Sequence, residues 1–365
     1  MSKATTTKFN AGTPILSMEQ CVQLLCAPYA TKRSIVIEGD TGSGKTWLGK
    51  EVSKRTGKRL VYFDCGAKSI EDLSVPWPTE INGTRVVMSV PHEEFGIQFN
   101  EPIVLMFDEI GKNRSLFPGV TRVLQERTIG NTPLHPETII FGSTNLGVEN
   151  FGDTLPGFVR SRINLLRMRK PNAEEWMQWG ANNNIVPALL AAVHEFPQML
   201  ESFTDVEDPK DNPYIYDPRD ASRTAFVTNR SLHHLSDLLH DRDMLGDDIV
   251  TNAAMGIVGA KAAADIMTMV TLGDTLPKYH EIVTAPEKVK VPVGVGAQIM
   301  SALTCMQRVE ATDFPDVFKY VQRLPMEIQA LFANQLMKAP SKSVWVARQQ
   351  SFTDFARKNF NLFTQ

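Results

Sequence analysis

Eight consecutive residues, Gly39-Asp40-Thr41-Gly42-Ser43-Gly44-Lys45-Thr46, follow the spacing G-x-x-x-x-G-K-[ST]. Glycines at this spacing let backbone N–H groups turn inward on an anion. The lysine reaches the β- and γ-phosphates of a nucleotide, and the hydroxyl after it can ligate Mg²⁺. The spacing therefore predicts that Gly39 to Thr46, with Trp47 opening the helix that follows, hold a nucleotide by its phosphates. Lys45 would lie on the phosphates and Thr46 on the metal.

Hydrolysis needs further groups. Asp108-Glu109 ends the apolar run 102–107. An acid there orients Mg²⁺, which gives that role to Asp108, and Glu109 polarises the attacking water. The plainer reading is a solvated acidic strand end. Ser143-Thr144-Asn145 ends the next apolar run, where Asn145 could lie between the γ-phosphate and the water; otherwise it is a turn or cap residue. Arg160 and Arg162 stand just before the last run. Arginine neutralises charge on a transferred phosphoryl group, and a neighbouring subunit can supply it. Either could instead be a surface salt-bridge residue.

Positioning these groups takes a sheet. The runs 34–38, 60–64, 102–107, 138–143 and 163–168 are continuous and apolar, as strands buried on both faces are. They alternate with helical stretches and start from a phosphate loop, so a doubly wound parallel α/β domain is expected over residues 1–170. A helix is expected over 16–28. Residues 66–100 read as irregular, with a hairpin at Asn82-Gly83. Beyond Pro171 helical patterns dominate, at 174–181, 185–196, 231–240, 249–270, 298–308, 314–323, 326–338 and 351–361. The polar stretch 205–223 reads as a long loop and 286–295 as a linker.

At 365 residues the chain needs more than one core, and 42% hydrophobic with 22% charged residues is a globular composition. A net charge of −3 gives no basic footprint for nucleic acid, and no apolar run is long enough to span a membrane. Met1 to Thr7 lacks the apolar core of a signal peptide, so a cytoplasmic protein is expected. Cys21, Cys26, Cys65 and Cys305 lack C-x-x-C spacing and read as buried thiols.

The order of motifs resembles the AAA+ ATPases, and within them the MoxR-like group of bacteria and phages. Gly39 to Thr46 matches Walker A, Val104 to Ile110 Walker B, Phe141 to Asn145 sensor 1, and Leu155 to Arg162 the arginine-finger region. The resemblance favours Arg162 as the finger, with Arg160 secondary, and implies a sensor 2 arginine in a helical lid. Thr228-Asn229-Arg230-Ser231-Leu232 has that form, which gives Arg230 the role. It also implies a lid over 171–245, a helical C-terminal region over 246–365, a homo-oligomeric, hexameric ring and a protein client. In such ATPases the partner often carries a von Willebrand A-like domain. One departure is Leu146, where MoxR proteins usually follow the sensor 1 asparagine with proline.

Two other function classes share the same core. One is nucleic-acid machinery of the clamp-loader or helicase-loader type, which the acidic balance opposes. The other is a non-hydrolysing nucleotide-gated scaffold, which the intact Asp108-Glu109 pair opposes. Lesser signals are Trp77 between prolines, either a pore-facing group or a loop anchor, and Glu93-Glu94-Phe95, which resembles the helix-2 insertion. His233, His234 and His240 read as ordinary lid histidines rather than metal ligands. Met255, Met267 and Met269 read as core filler.

Overall fold

The apolar runs pair into one parallel sheet. The structure, a computed structural model that describes residues 14–146 and 163–359, orders its six strands as follows. From one edge they are β1 (Ile15–Leu16), β10 (Asn164–Met168), β2 (Ile35–Gly39), β9 (Ile139–Asn145), β6 (Ile103–Asp108) and β3 (Arg59–Asp64). Successive side chains point to opposite faces. Ile35 and Ile37, Val104 and Met106, and Ile139 and Phe141 pack with Val22 and Leu25 of α1 (Met18–Cys26) and with Leu48 and Val52 of α2 (Lys45–Thr56). The intervening Val36, Leu105, Phe107 and Ile140 join Val120, Val123 and Leu124 of α3 (Phe117–Glu126) on the other face. Such two-sided burial leaves no position in the central strands free to be polar until the strand ends.

Register then decides what meets at those ends. Gly39 is partnered by Met168 on one side and Asn145 on the other, and Asp64 by Asp108. The carboxyl ends of β2, β9, β6 and β3 thus line one end of the sheet, where open α/β sheets bind ligands.

The region expected to be irregular holds more structure than the sequence suggests. β4 (Ser74–Ile81) and β5 (Thr84–Pro91) form a hairpin with eight residues in each strand, closed by Asn82 at φ 52° and Gly83 at φ 77°. Two positive φ values match a type I′ turn. Pro76 and Pro78 argue against a strand, yet both fall at alternate positions whose nitrogens face the outer edge, where a missing donor breaks no ladder bond. Trp77 is 61% exposed on this hairpin, so it is not a packed anchor. The outer edge of β5 is covered: Ser89 N–H donates to Asn131 Oδ1 at 2.7 Å, and Asn131 N–H to the Ser89 carbonyl at 2.8 Å. Glu93–Phe95 is a single 3₁₀ turn whose Phe95 is buried and stacked on Phe63 at 5.6 Å.

The chain divides into two compact units, Met1–Lys170 and Pro171–Gln365. The described part of the second is helical, around one core that includes Trp176, Leu189, Ile266, Phe318 and Phe332. Asn172 and Thr228 open their helices, Ala173–Asn182 and Asn229–His240, with reciprocal capping bonds. The stretch 205–223 is irregular apart from the turn Pro209–Asp211. The single helix expected over 249–270 is two, Asp247–Val258 and Ala260–Asp274. Gly259 breaks it at φ 86°, ψ 156°, where a Cβ would sit 2.8 Å from the Ala225 carbonyl. Met267 and Met269 pack against the core as expected, whereas Met255 is 41% exposed. His233 meets the edge of Trp179, and the described residues contain no cluster able to hold a metal. No helix among them is long and apolar enough to cross a membrane.

Candidate functional site

The loop after β2 is shaped by close approach. A Cβ at Gly39 would lie 2.8 Å from the Met168 carbonyl, and Gly44, at φ 96°, turns the chain into the first residue of α2. A side chain on Gly44 would also strike the Met18 Cε. The Lys45 ammonium lies inside the loop, donating to the carbonyls of Gly39 at 2.8 Å and Asp40 at 2.7 Å and to Asn145 Oδ1 at 2.9 Å. The last bond joins the loop to the end of β9, as the Gly39–Asn145 register requires. The Ser43 hydroxyl is fully buried and has no hydrogen-bond partner among the described residues. Asp40 forms a buried ion pair with Lys170 at 3.5 Å. Trp47 stands in the first turn of α2, with its N–H spent on the Gly44 carbonyl at 2.9 Å.

Beside the loop, Asp108 is a hub. Its Oδ2 accepts from the Thr46 hydroxyl at 3.0 Å and the Tyr62 phenol at 2.8 Å. Its Oδ1 accepts from the Ser143 hydroxyl and from Glu109 N–H at 3.1 Å. A carboxylate offers about four lone-pair positions, so protein donors fill them all. Burial, and then the neighbouring Asp108 charge, push the Tyr62 phenol well above the ordinary tyrosine range, so it stays a donor. Burial above all, then Asp108, likewise holds the Cys65 thiol protonated. Cys21, Cys65 and Cys305 are buried as expected, whereas Cys26 is only partly buried.

Glu109 follows at φ 53°, a left-handed conformation rare for a residue with a Cβ. Its Oε2 accepts from the Lys112 ammonium at 2.6 Å, and a side chain on Gly66 would lie 2.8 Å from the same oxygen.

Of the residues expected from sequence, Lys45, Thr46, Asp108 and Asn145 are joined by hydrogen bonds, and Glu109 adjoins them. Arg160 and Arg162 lie outside the described residues. Arg230 is exposed on the first turn of Asn229–His240 in the second unit. Sequence reasoning missed the roles of Tyr62, Ser143, Lys112 and Lys170. Tyr62 carried one signal, a phenol inside an apolar strand two residues from its end, but only the β3–β6 register aims it at Asp108.

Residues 34–139 match the model of the AAA domain of the dynein-related subfamily. That stretch contains the phosphate loop and the Asp108-Glu109 pair and stops short of Asn145. The chain therefore carries an AAA+ ATPase domain with the α/β P-loop fold, followed by a helical region. No curated protein matches the chain. Among solved structures it is similar to NtrX from Brucella abortus in complex with ADP, with 16% identity and a TM-score of 0.38 over 95% of this chain and 68% of that one. A second NtrX structure from the same organism has 15% identity and a TM-score of 0.32, covering 71% of this chain and 69% of that one.

Proposed function

We propose that this chain hydrolyses ATP as a subunit of a ring and uses the cycle to remodel or activate a protein partner, in the manner of the MoxR-like AAA+ group. The observation that carries the reading is the connected set Asn145–Lys45–phosphate loop and Thr46–Asp108, assembled at the carboxyl end of the sheet. The residues fit a metal–nucleotide. Ser43 has a buried hydroxyl with no partner among the described residues, and Gly39 and Gly44 leave room that side chains would fill. The groups at the metal position, the Thr46 hydroxyl and the Asp108 carboxylate behind it, present oxygens, which suits a hard cation such as Mg²⁺. Bound there, Mg²⁺ would neutralise charge on the phosphates.

Lys45 exchanges its carbonyl partners for phosphate oxygens, a charge-assisted gain that neutral carbonyls do not match. Asn145, released from Lys45, is then free to orient the attacking water. Glu109 takes that water's proton. Its link to Lys112 is half-exposed, and such pairs exchange at little cost. Arg162 enters from a neighbouring subunit, with Arg160 in support. A lid over 171–245 brings Arg230 to the phosphates, and the region 246–365 passes the motion on. Support for ring, lid and client comes from the resemblance of the motifs and from the AAA domain match, since proteins of this class commonly form rings.

The test is Glu109→Gln. Phosphate release should fall by about 100-fold or more, the lower end of what a general base supplies. ATP affinity should stay within a few-fold of wild type. Normal turnover by the purified variant would remove Glu109 from the chemistry.

A further inference from the structure

We propose that Tyr62 is a positioning residue for the metal site, holding the Asp108 carboxylate so that Thr46 keeps one orientation toward a divalent cation. The inference rests on the metal–nucleotide reading of the site given above. It begins from the bonds on a single atom: Asp108 Oδ2 accepts from both Thr46 Oγ1, at 3.0 Å, and Tyr62 OH, at 2.8 Å. Thr46 has one hydroxyl proton and two lone pairs. While the proton is spent on Asp108, both lone pairs face away from the acid and are available to a cation. If Asp108 turns, the Thr46 proton swings with it and the lone pairs lose their aim.

Three donors other than Thr46 oppose that rotation. Glu109 N–H and the Ser143 hydroxyl fix Oδ1, and Tyr62 alone among them fixes Oδ2. Tyr62 is itself braced by the sheet. It pairs with Met106 in the β3–β6 ladder, and the register that sets Asp64 opposite Asp108 places Tyr62 on the same face as the acid. With four donors on its two oxygens, Asp108 acts as the acid that orients Thr46 rather than as a direct ligand with a lone pair to spare. Removing the phenol hydroxyl opens one acceptor position on Oδ2 to water and leaves only the two donors on Oδ1 to resist rotation.

Tyr62→Phe keeps the ring and deletes only that hydroxyl. Mn²⁺, followed by electron paramagnetic resonance in the presence of ADP, reports metal affinity without turnover. A fluorescent ADP analogue in excess chelator reports nucleotide affinity without metal. Tyr62→Phe should weaken Mn²⁺ about 10-fold, the usual scale for lost outer-shell partners. Metal-free nucleotide affinity should stay within twofold, with the melting temperature near that of wild type. A Tyr62→Phe protein that binds Mn²⁺ as tightly as wild type overturns the proposal and leaves the ATPase reading standing. Equal losses with and without metal also overturn it, since a merely structural role would produce them. If wild type itself binds no metal–nucleotide, the reading of the site falls, and this proposal falls with it.

Discussion

Both units bury polar side chains, and they use them differently. In the second unit the polar groups in and around the core bond mostly to a single stretch of backbone each. The Lys342 ammonium donates to the carbonyls of Met306, Gln307 and Val309 at 2.6, 2.8 and 3.1 Å, finishing the helix Val295–Arg308. Gln329 donates to the carbonyls of Gln322 and Leu324, and Ser301 and Tyr320 share a bond at 2.9 Å. These groups are scattered through the helical core. In the first unit Lys45, Thr46, Asp108, Ser143 and Asn145 come from three different elements and meet at one end of the sheet. Orphaned buried atoms do not separate the two units: Ser43 and Thr144 hold them in one, and Trp176 and Gln335 in the other. Convergence separates them. Local bonds finish a fold, whereas bonds from several elements to a shared point set up a site.

The contrast can be broken experimentally at its strongest point first. Lys45→Ala should cost about 100-fold in nucleotide affinity, the worth of charge-assisted bonds to phosphate, measured by fluorescence titration. The melting temperature should fall as well, because the Gly39 and Asp40 carbonyls it leaves behind are buried. Lys342→Met should leave nucleotide affinity alone. It strands three carbonyls at a helix end and should lower unfolding free energy by about 3 kcal/mol, read from urea denaturation, with turnover per folded molecule unchanged. A large loss of turnover in folded Lys342→Met protein would place that lysine in the working cycle and erase the distinction.

The sheet was legible because its strands are buried on both faces, which forces unbroken apolar runs such as Ile103 to Phe107. The phosphate loop was legible because its glycines and lysine serve a backbone shape that few sequences allow. Asp108 and Asn145 followed, since a polar residue at the end of an apolar run is itself a signal. Tyr62, Lys112 and Lys170 were hidden, because their partners depend on strand register and loop path rather than on local pattern. The hairpin was underread because Pro76 and Pro78 forbid a central strand but not an edge. The helix break at Gly259 was missed because apolar periodicity runs across it, and only the approach to the Ala225 carbonyl requires the turn. Arg230 came from resemblance alone, and its own surroundings add nothing to the assignment.

The backbone at Glu109 has a consequence for how this protein tolerates change. At φ 53° a side chain costs about 1 kcal/mol or more that glycine would not incur. Glu109→Gly should therefore raise thermal stability slightly while abolishing turnover. Selection for robustness alone would discard this glutamate. Its presence marks a position where the fold stays less stable than it could be, and a stability-guided redesign of this chain would silence it by improving it.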